Sequence, residues 1–100
     1  MKFFCVADKE SGLGFRLAGI ETMEVSTARE AEEALKVGTA SEGVGIIVVT
    51  RKAADLVRPK IEGLLYTQEL PLILEVPSLG DKSSGKAAGE FLKEAIGFNL

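Results

Sequence analysis

The sequence predicts a single α/β domain: a four-stranded parallel sheet in the order 2-1-3-4 with helices on both faces, followed by a C-terminal helix. Three observations lead there. Phe3–Ala7, Val44–Val49 and Leu72–Val76 are short, continuous apolar runs, the pattern of strands buried on both faces of a parallel sheet. Helical signals lie between them, so strand and helix alternate. And 100 residues leave room for one core only.

The first strand, Phe3–Ala7, ends at Asp8. Ser11 is placed to cap a short helix running to about Ala18, with Gly19 able to take the left-handed conformation that stops it. The second strand falls near Thr22–Val25 and is more polar, which suits an edge. Thr27 and Glu30 then form a capping box in which each side chain satisfies a free backbone donor of the other. The helix it opens runs from Ala28 to about Val37 with Ala28, Ala31, Ala34 and Leu35 inward, Glu32 paired with Lys36, and Gly38 as its stop.

Val44–Val49, β-branched almost throughout, belongs at the centre of the sheet. Thr50 can cap the next helix, whose stripe is Ala53, Val57, Ile61, Leu64 and Leu65. Pro59 removes a donor inside that stripe and predicts a kink or two short helices. Leu72–Val76, set between Pro71 and Pro77, is the last strand. Residues 1–78 make the globular part, and 79–100 a flexible loop and C-terminal helix belonging to the same unit.

Composition excludes several functions. A formal net charge of -3, with scattered basic residues, gives no attraction for phosphate backbones, so nucleic acid is not an expected partner. No apolar stretch approaches the roughly 20 residues needed to span a bilayer, and Met1 leads directly into a strand; a soluble, cytoplasmic chain without membrane insertion is expected. There is no histidine and one cysteine, which removes histidine-dependent triads, intramolecular disulfides and most zinc sites.

In a doubly wound sheet, ligands sit at the carboxyl ends of the strands, where the loops here offer Asp8, Ser11, Thr50, Ser78 and Asp81. Phosphoacceptor receiver domains share this architecture but need several carboxylates for Mg²⁺, including one at the end of the third strand. This chain has Thr50-Arg51 there, and Asp8 alone does not suffice. The run Gly80-Asp81-Lys82-Ser83-Ser84-Gly85-Lys86-Ala87 has the spacing of a phosphate-binding loop. Ala87, however, replaces the hydroxyl that holds Mg²⁺, and the loop follows the last strand rather than the first. Cys5 is mid-strand, the position of a buried thiol rather than a nucleophile. No catalytic, cofactor-binding or metal-ligating residue is predicted.

What these readings leave over is apolar surface on the last helix. Ala88, Phe91, Leu92, Ala95 and Ile96 form one stripe, and the chain stays apolar through Phe98 to Leu100, which points to a docking partner.

Several segments, in order, resemble the F subunit of the archaeal and vacuolar-type (A/V-type) rotary ATPases: Leu13-Gly14-Phe15-Arg16-Leu17-Ala18-Gly19-Ile20, Gly45–Val49 followed by Thr50, Leu70-Pro71 leading to Glu75-Val76-Pro77-Ser78, and Ala95-Ile96-Gly97-Phe98. The resemblance implies a receiver-like domain and a C-terminal helix lying along the coiled coil of the D subunit in the central stalk. It also implies contact with the catalytic head and with the subunit linking the stalk to the membrane ring. Such a protein is non-catalytic, peripheral to the membrane, and helps couple ATP hydrolysis or synthesis to proton or sodium transport. Carried over by position, the shaft contact falls on Phe91, Leu92, Ala95, Ile96 and Phe98. Within Gly14-Phe15-Arg16-Leu17, core packing is the first expectation: Gly14 lets the helix approach the sheet and Phe15 and Leu17 are core, while Arg16 is available to an acidic partner. The alternative is a small phosphate- or nucleotide-responsive domain using Asp8 or the Gly80–Lys86 loop.

Overall fold

The computed structural model describes residues 2–63, 65 and 70–81. The elements follow in the order β1 (Lys2–Ala7), α1 (Lys9–Leu17), β2 (Glu21–Glu24), α2 (Ala28–Ala40), β3 (Val44–Thr50), α3 (Arg51–Asp55), α4 (Arg58–Ile61) and β4 (Leu72–Val76). The four strands form one parallel sheet in the order β2-β1-β3-β4. Across it, Cys5 pairs with Thr22 on one side and Val48 on the other, and Val48 pairs with Leu74.

The continuous apolar runs are explained by two cores, one on each face. Phe4, Val6, Ile47, Val49 and Ile73 point toward α2, α3 and α4, where Ala31, Ala34, Ala53, Ala54, Val57 and Ile61 meet them. Cys5, Ala7, Ile46, Val48, Leu74 and Val76 share the opposite core with Phe15 of α1. Alternate residues of each strand thus serve alternate faces, so neither can be polar. The edge strand β2 is partly exposed, as its composition requires.

Four local expectations are corrected. Asp8, not Ser11, caps α1, accepting from the Ser11 N–H at 3.3 Å, because a carboxylate at the strand end reaches the free donors of the first turn. Gly38 does not stop α2, which continues to Ala40; a Cβ there would lie 2.8 Å from Phe4 Cδ2 and 3.0 Å from Ile47 Cδ1. It is glycine because the helix backbone lies against the sheet. Ala28, in the first turn, is exposed rather than inward. Glu32 pairs with Lys60 of α4 at 2.7 Å, a tertiary contact in place of the local one to Lys36.

The capping box is present as read, with Thr27 Oγ1 accepting from Glu30 N and Glu30 Oε1 from Thr27 N. Pro59 does divide its segment into two short helices, α3 and α4, and sits in the first turn of the second, where no donor is needed. Of the expected stripe, Ala53, Val57 and Ile61 are buried and Leu65 bridges to Ile73; Leu64 lies outside the described residues.

Two glycines make a paired test of this packing. Gly14, expected to bring α1 close to the sheet, is instead on the helix's outer face with open space around its Cα, and Gly14→Ala gains about 1 kcal/mol of stability from helix propensity alone. Gly38→Ala gains the same propensity but forces Phe4 and Ile47 aside, an overpacking cost of about 1–3 kcal/mol that leaves the variant less stable than the parent. Urea unfolding of the two variants is expected to shift the midpoint in opposite directions.

Candidate functional site

The carboxyl edge of the sheet gathers the five polar residues that the loop positions nominate. Asp8 ends β1, Thr50 ends β3, Ser78 and Asp81 follow β4, and Ser11 lies in the first turn of α1. Thr50, Ser78 and Ser11 are buried, at 0%, 4% and 7% exposure.

Asp8 is the hub. Its Oδ1 accepts from the hydroxyls of Thr50 and Ser78, each at 2.8 Å, and its Oδ2 from the Ser11 hydroxyl at 3.1 Å and the Ser11 N–H. A carboxylate offers about four acceptor positions, and here all are taken. Each hydroxyl, having spent its proton on Asp8, turns a lone pair to a backbone N–H. Thr50 Oγ1 accepts from Asp8 N at 3.1 Å, Ser78 Oγ from Lys52 N at 3.0 Å and Ser11 Oγ from Leu79 N at 2.8 Å. One charge thereby orients three hydroxyls that satisfy donors on three separate segments. Thr50 occupies the cap position of α3 but makes no capping bond; Ser78, reaching across from the end of β4, caps the helix instead.

Burial pushes the Asp8 pKa up, but the hydrogen bonds from Thr50, Ser78 and Ser11 outweigh it, and the net shift is downward. Asp81 is held by its own cation. Arg51 Nε donates to Asp81 Oδ2 at 2.7 Å and its second nitrogen to Oδ1 at 2.9 Å, a bidentate fork, while Ser78 N donates to Oδ2 at 2.9 Å. The Arg51 bonds, with the Ser78 N–H, lower the Asp81 pKa to about 2. Arg51 also reaches Asp55 at 2.8 Å, which fixes it to α3. In the sequence this arginine reads only as the residue standing where a receiver aspartate would be, and its place directly after a strand end is the available signal.

Chemically, this edge is closed. Every oxygen of Asp8 is engaged, and among the described residues no group of three or more potential metal ligands comes together. Cys5, directly below, is fully buried; burial raises its pKa to about 12, with the Asp8 charge adding to the effect and Thr22 opposing it. A thiol so neutral at pH 7 is not a nucleophile.

The remaining nominated residues are placed as follows. Arg16, half-exposed in the last turn of α1, pairs with Glu24 on β2, an acidic residue of its own chain. Phe15 is core, but Leu17, expected beside it, is 79% exposed. Gly80, with φ of 89°, and Asp81 begin the phosphate-loop-like run, whose remaining residues 82–87 lie outside the described residues. So do Phe91, Leu92, Ala95, Ile96 and Phe98.

The family of the ATP synthase (F/14-kDa) subunit matches residues 4–96. The chain belongs to that family. It is 34% identical over 98 residues to the A-type ATP synthase F subunit of Methanothermobacter thermautotrophicus, covering 95% of this chain and 92% of the relative. The A-type F subunit of Thermococcus kodakarensis is 35% identical over 106 residues, with 100% and 98% covered. The V-type F subunit of Thermus thermophilus is 28% identical over 99 residues, with 95% of each chain covered. Membership in this family makes the chain an accessory subunit of a rotary ATPase, not its catalytic part. Among the described residues no helix is long and apolar enough to cross a membrane.

The hub sets an acid limit. The folded carboxylates of Asp8 and Asp81 bind protons more weakly than in the unfolded chain, so their contribution is complete above about pH 4 and is lost as the pH falls toward 2. Urea unfolding at about pH 7, 4 and 2.5 is expected to show the midpoint falling across the last interval, and less steeply in Asp81→Asn. Thr50→Val, which keeps the shape but loses the hydroxyl, is expected to cost about 1–3 kcal/mol because it leaves the Asp8 N–H unpaired.

Proposed function

We propose that this chain is a central-stalk component of an A/V-type ATP synthase or ATPase, bound to the coiled-coil D subunit of the stalk through its last helix. In that place it helps couple ATP hydrolysis or synthesis to proton or sodium transport. It meets the catalytic head and the subunit linking stalk to membrane ring, and lies peripheral to the membrane on the cytoplasmic side. The observation that carries this reading is the extent of the family match, which runs to residue 96 and so includes Phe91, Leu92, Ala95 and Ile96. Apolar residues at that spacing form one helical stripe, the form in which a helix recognises an apolar groove.

Phe98 extends the stripe beyond the matched residues. Arg16 is the proposed polar contact; its guanidinium is already shared with Glu24. Among the described residues the phosphate- or nucleotide-responsive alternative finds no free group at this edge, since Asp8 is saturated by internal donors and Asp81 is paired with Arg51.

Titration calorimetry of the full chain against the coiled-coil partner tests the assignment. The variant Phe91→Ala/Leu92→Ala/Ile96→Ala is expected to bind at least about 100-fold more weakly, a loss of about 3 kcal/mol summed over the three apolar anchors. Arg16→Ala is expected to change binding by less than about tenfold, because exposed ion pairs contribute about 0–1 kcal/mol. Undiminished binding by the triple variant would remove the last helix as the anchor.

A further inference from the structure

The two faces of the sheet are covered by helices with opposite outer surfaces. On α2, α3 and α4 the outer surface carries ion pairs, Arg29–Glu33, Lys60–Glu32 and the chain Arg51–Asp55–Arg58, and of their large apolar side chains only Val37 is exposed. α1 is built the other way. It buries Ser11, Gly12 and Phe15 and turns Leu13 and Leu17 outward, at 59% and 79% exposure. Residues four apart on a helix lie one above the other, so the two leucines form a single ridge. Leu79, also exposed, stands beside the first turn of the same helix, where its N–H donates to Ser11 Oγ.

The core does not call for this ridge, because Phe15 already serves the inner side of α1. Nor does it call for glycine beside it. A Cβ on Gly14 would meet nothing within 4 Å outside its own stretch of helix, and Ala18, one turn on, is exposed as well. That flank of the ridge is low, as the close approach of a second helix requires. The opposite flank is cationic: Lys9 and Arg16, about two turns apart, lie there, on the side where Arg16 reaches Glu24 of β2. Glu10 lies on the low flank. The Arg16 guanidinium already holds one carboxylate, which shows the chemistry it accepts from an incoming surface.

Extent decides between occupants. The nine residues of α1 offer a strip about 13.5 Å long and about 10 Å wide. A free-standing interface takes about 800 Å² from each side, so the strip is too small to hold a second copy of this chain by itself. It suits a partner that the chain also holds elsewhere.

We propose that the outer face of α1 is a second contact with the coiled-coil partner, in which Leu13 and Leu17 pack against an apolar stripe of one of its helices and Lys9 and Arg16 face carboxylates bordering that stripe. This rests on the reading of the chain as a stalk component, and needs the other contact but not its location. The leucines, desolvated only in the complex, govern dissociation, and the cations at the rim govern association.

Surface plasmon resonance of the full chain on the immobilised coiled-coil partner separates these roles. Leu13→Gln/Leu17→Gln is expected to dissociate about 20-fold faster, with an unchanged urea midpoint because both side chains are exposed. Lys9→Glu, whose new charge suits the helix N-terminus, is expected to associate about fivefold more slowly at low salt, the difference shrinking as salt is raised. Val37→Gln on α2 is expected to bind as the parent does. Parental dissociation of the leucine variant would overturn the proposal and leave the stalk reading intact. A parent that does not bind the coiled coil would reject both. Self-association of the parent in sedimentation velocity, abolished in the leucine variant, would overturn the proposal by assigning the ridge to a second copy.

Discussion

The described structure hangs on the Asp8 carboxylate. Three strands end side by side at the carboxyl edge, and the segments that follow them begin with backbone N–H groups that the sheet itself cannot satisfy. A buried hydroxyl can accept such a donor only if its own proton has somewhere to go. Asp8 receives three of those protons, from Thr50, Ser78 and Ser11, and so fixes which way each hydroxyl points. The N–H groups of Asp8, Lys52 and Leu79 then find acceptors already oriented. Without the charge, each hydroxyl would be free to rotate and the three segments would lose their common reference.

The same residue explains why the carboxyl edge, a place suited to cation and phosphate binding, offers no free Asp8 oxygen. An aspartate at the end of the first strand is the right group for binding a cation, provided its oxygens are turned outward and a second carboxylate stands nearby. Thr50 supplies a donor where a second carboxylate would be needed, and the inward-facing bonds consume Asp8. The two arrangements exclude each other, because a lone pair that orders a hydroxyl is not available to a metal. Belonging to the family of the ATP synthase (F/14-kDa) subunit is consistent with that choice, in which the crevice becomes structure.

Much of the fold is legible because the sequence is locally consistent. Phe3–Ala7, Val44–Val49 and Leu72–Val76 suit only strands covered on two faces, and the Thr27–Glu30 box fixes a helix start without tertiary help. The misreadings fall where a distant partner decides. Gly38 reads as a stop until Phe4 and Ile47 are known to lie beneath it. Thr50 reads as a cap until Ser78, far along the chain, takes that duty. Leu17 reads as core because it is leucine, although its helix turns it outward beside Arg16. For the site, the five polar residues are legible from their strand-end positions; their mutual saturation is not, because donor direction is a property of the assembled edge.

The face of the sheet against α2 and α3 is lined with short side chains: Ala31, Ala34 and Gly38 from one helix, Ala53 and Ala54 from the other. Methyl groups and bare backbone have no rotamers to exchange, so at these positions the helices rest directly on Phe4, Val6, Ile47 and Val49, with the longer Leu35 and Leu56 packed at the margin. Such an interface has low mechanical compliance. A load applied to α2 passes to the strands as displacement of the whole body, with little of it dissipated in side-chain rearrangement. For a part carried on a turning shaft, as proposed above, that stiffness keeps torque from being absorbed as internal deformation.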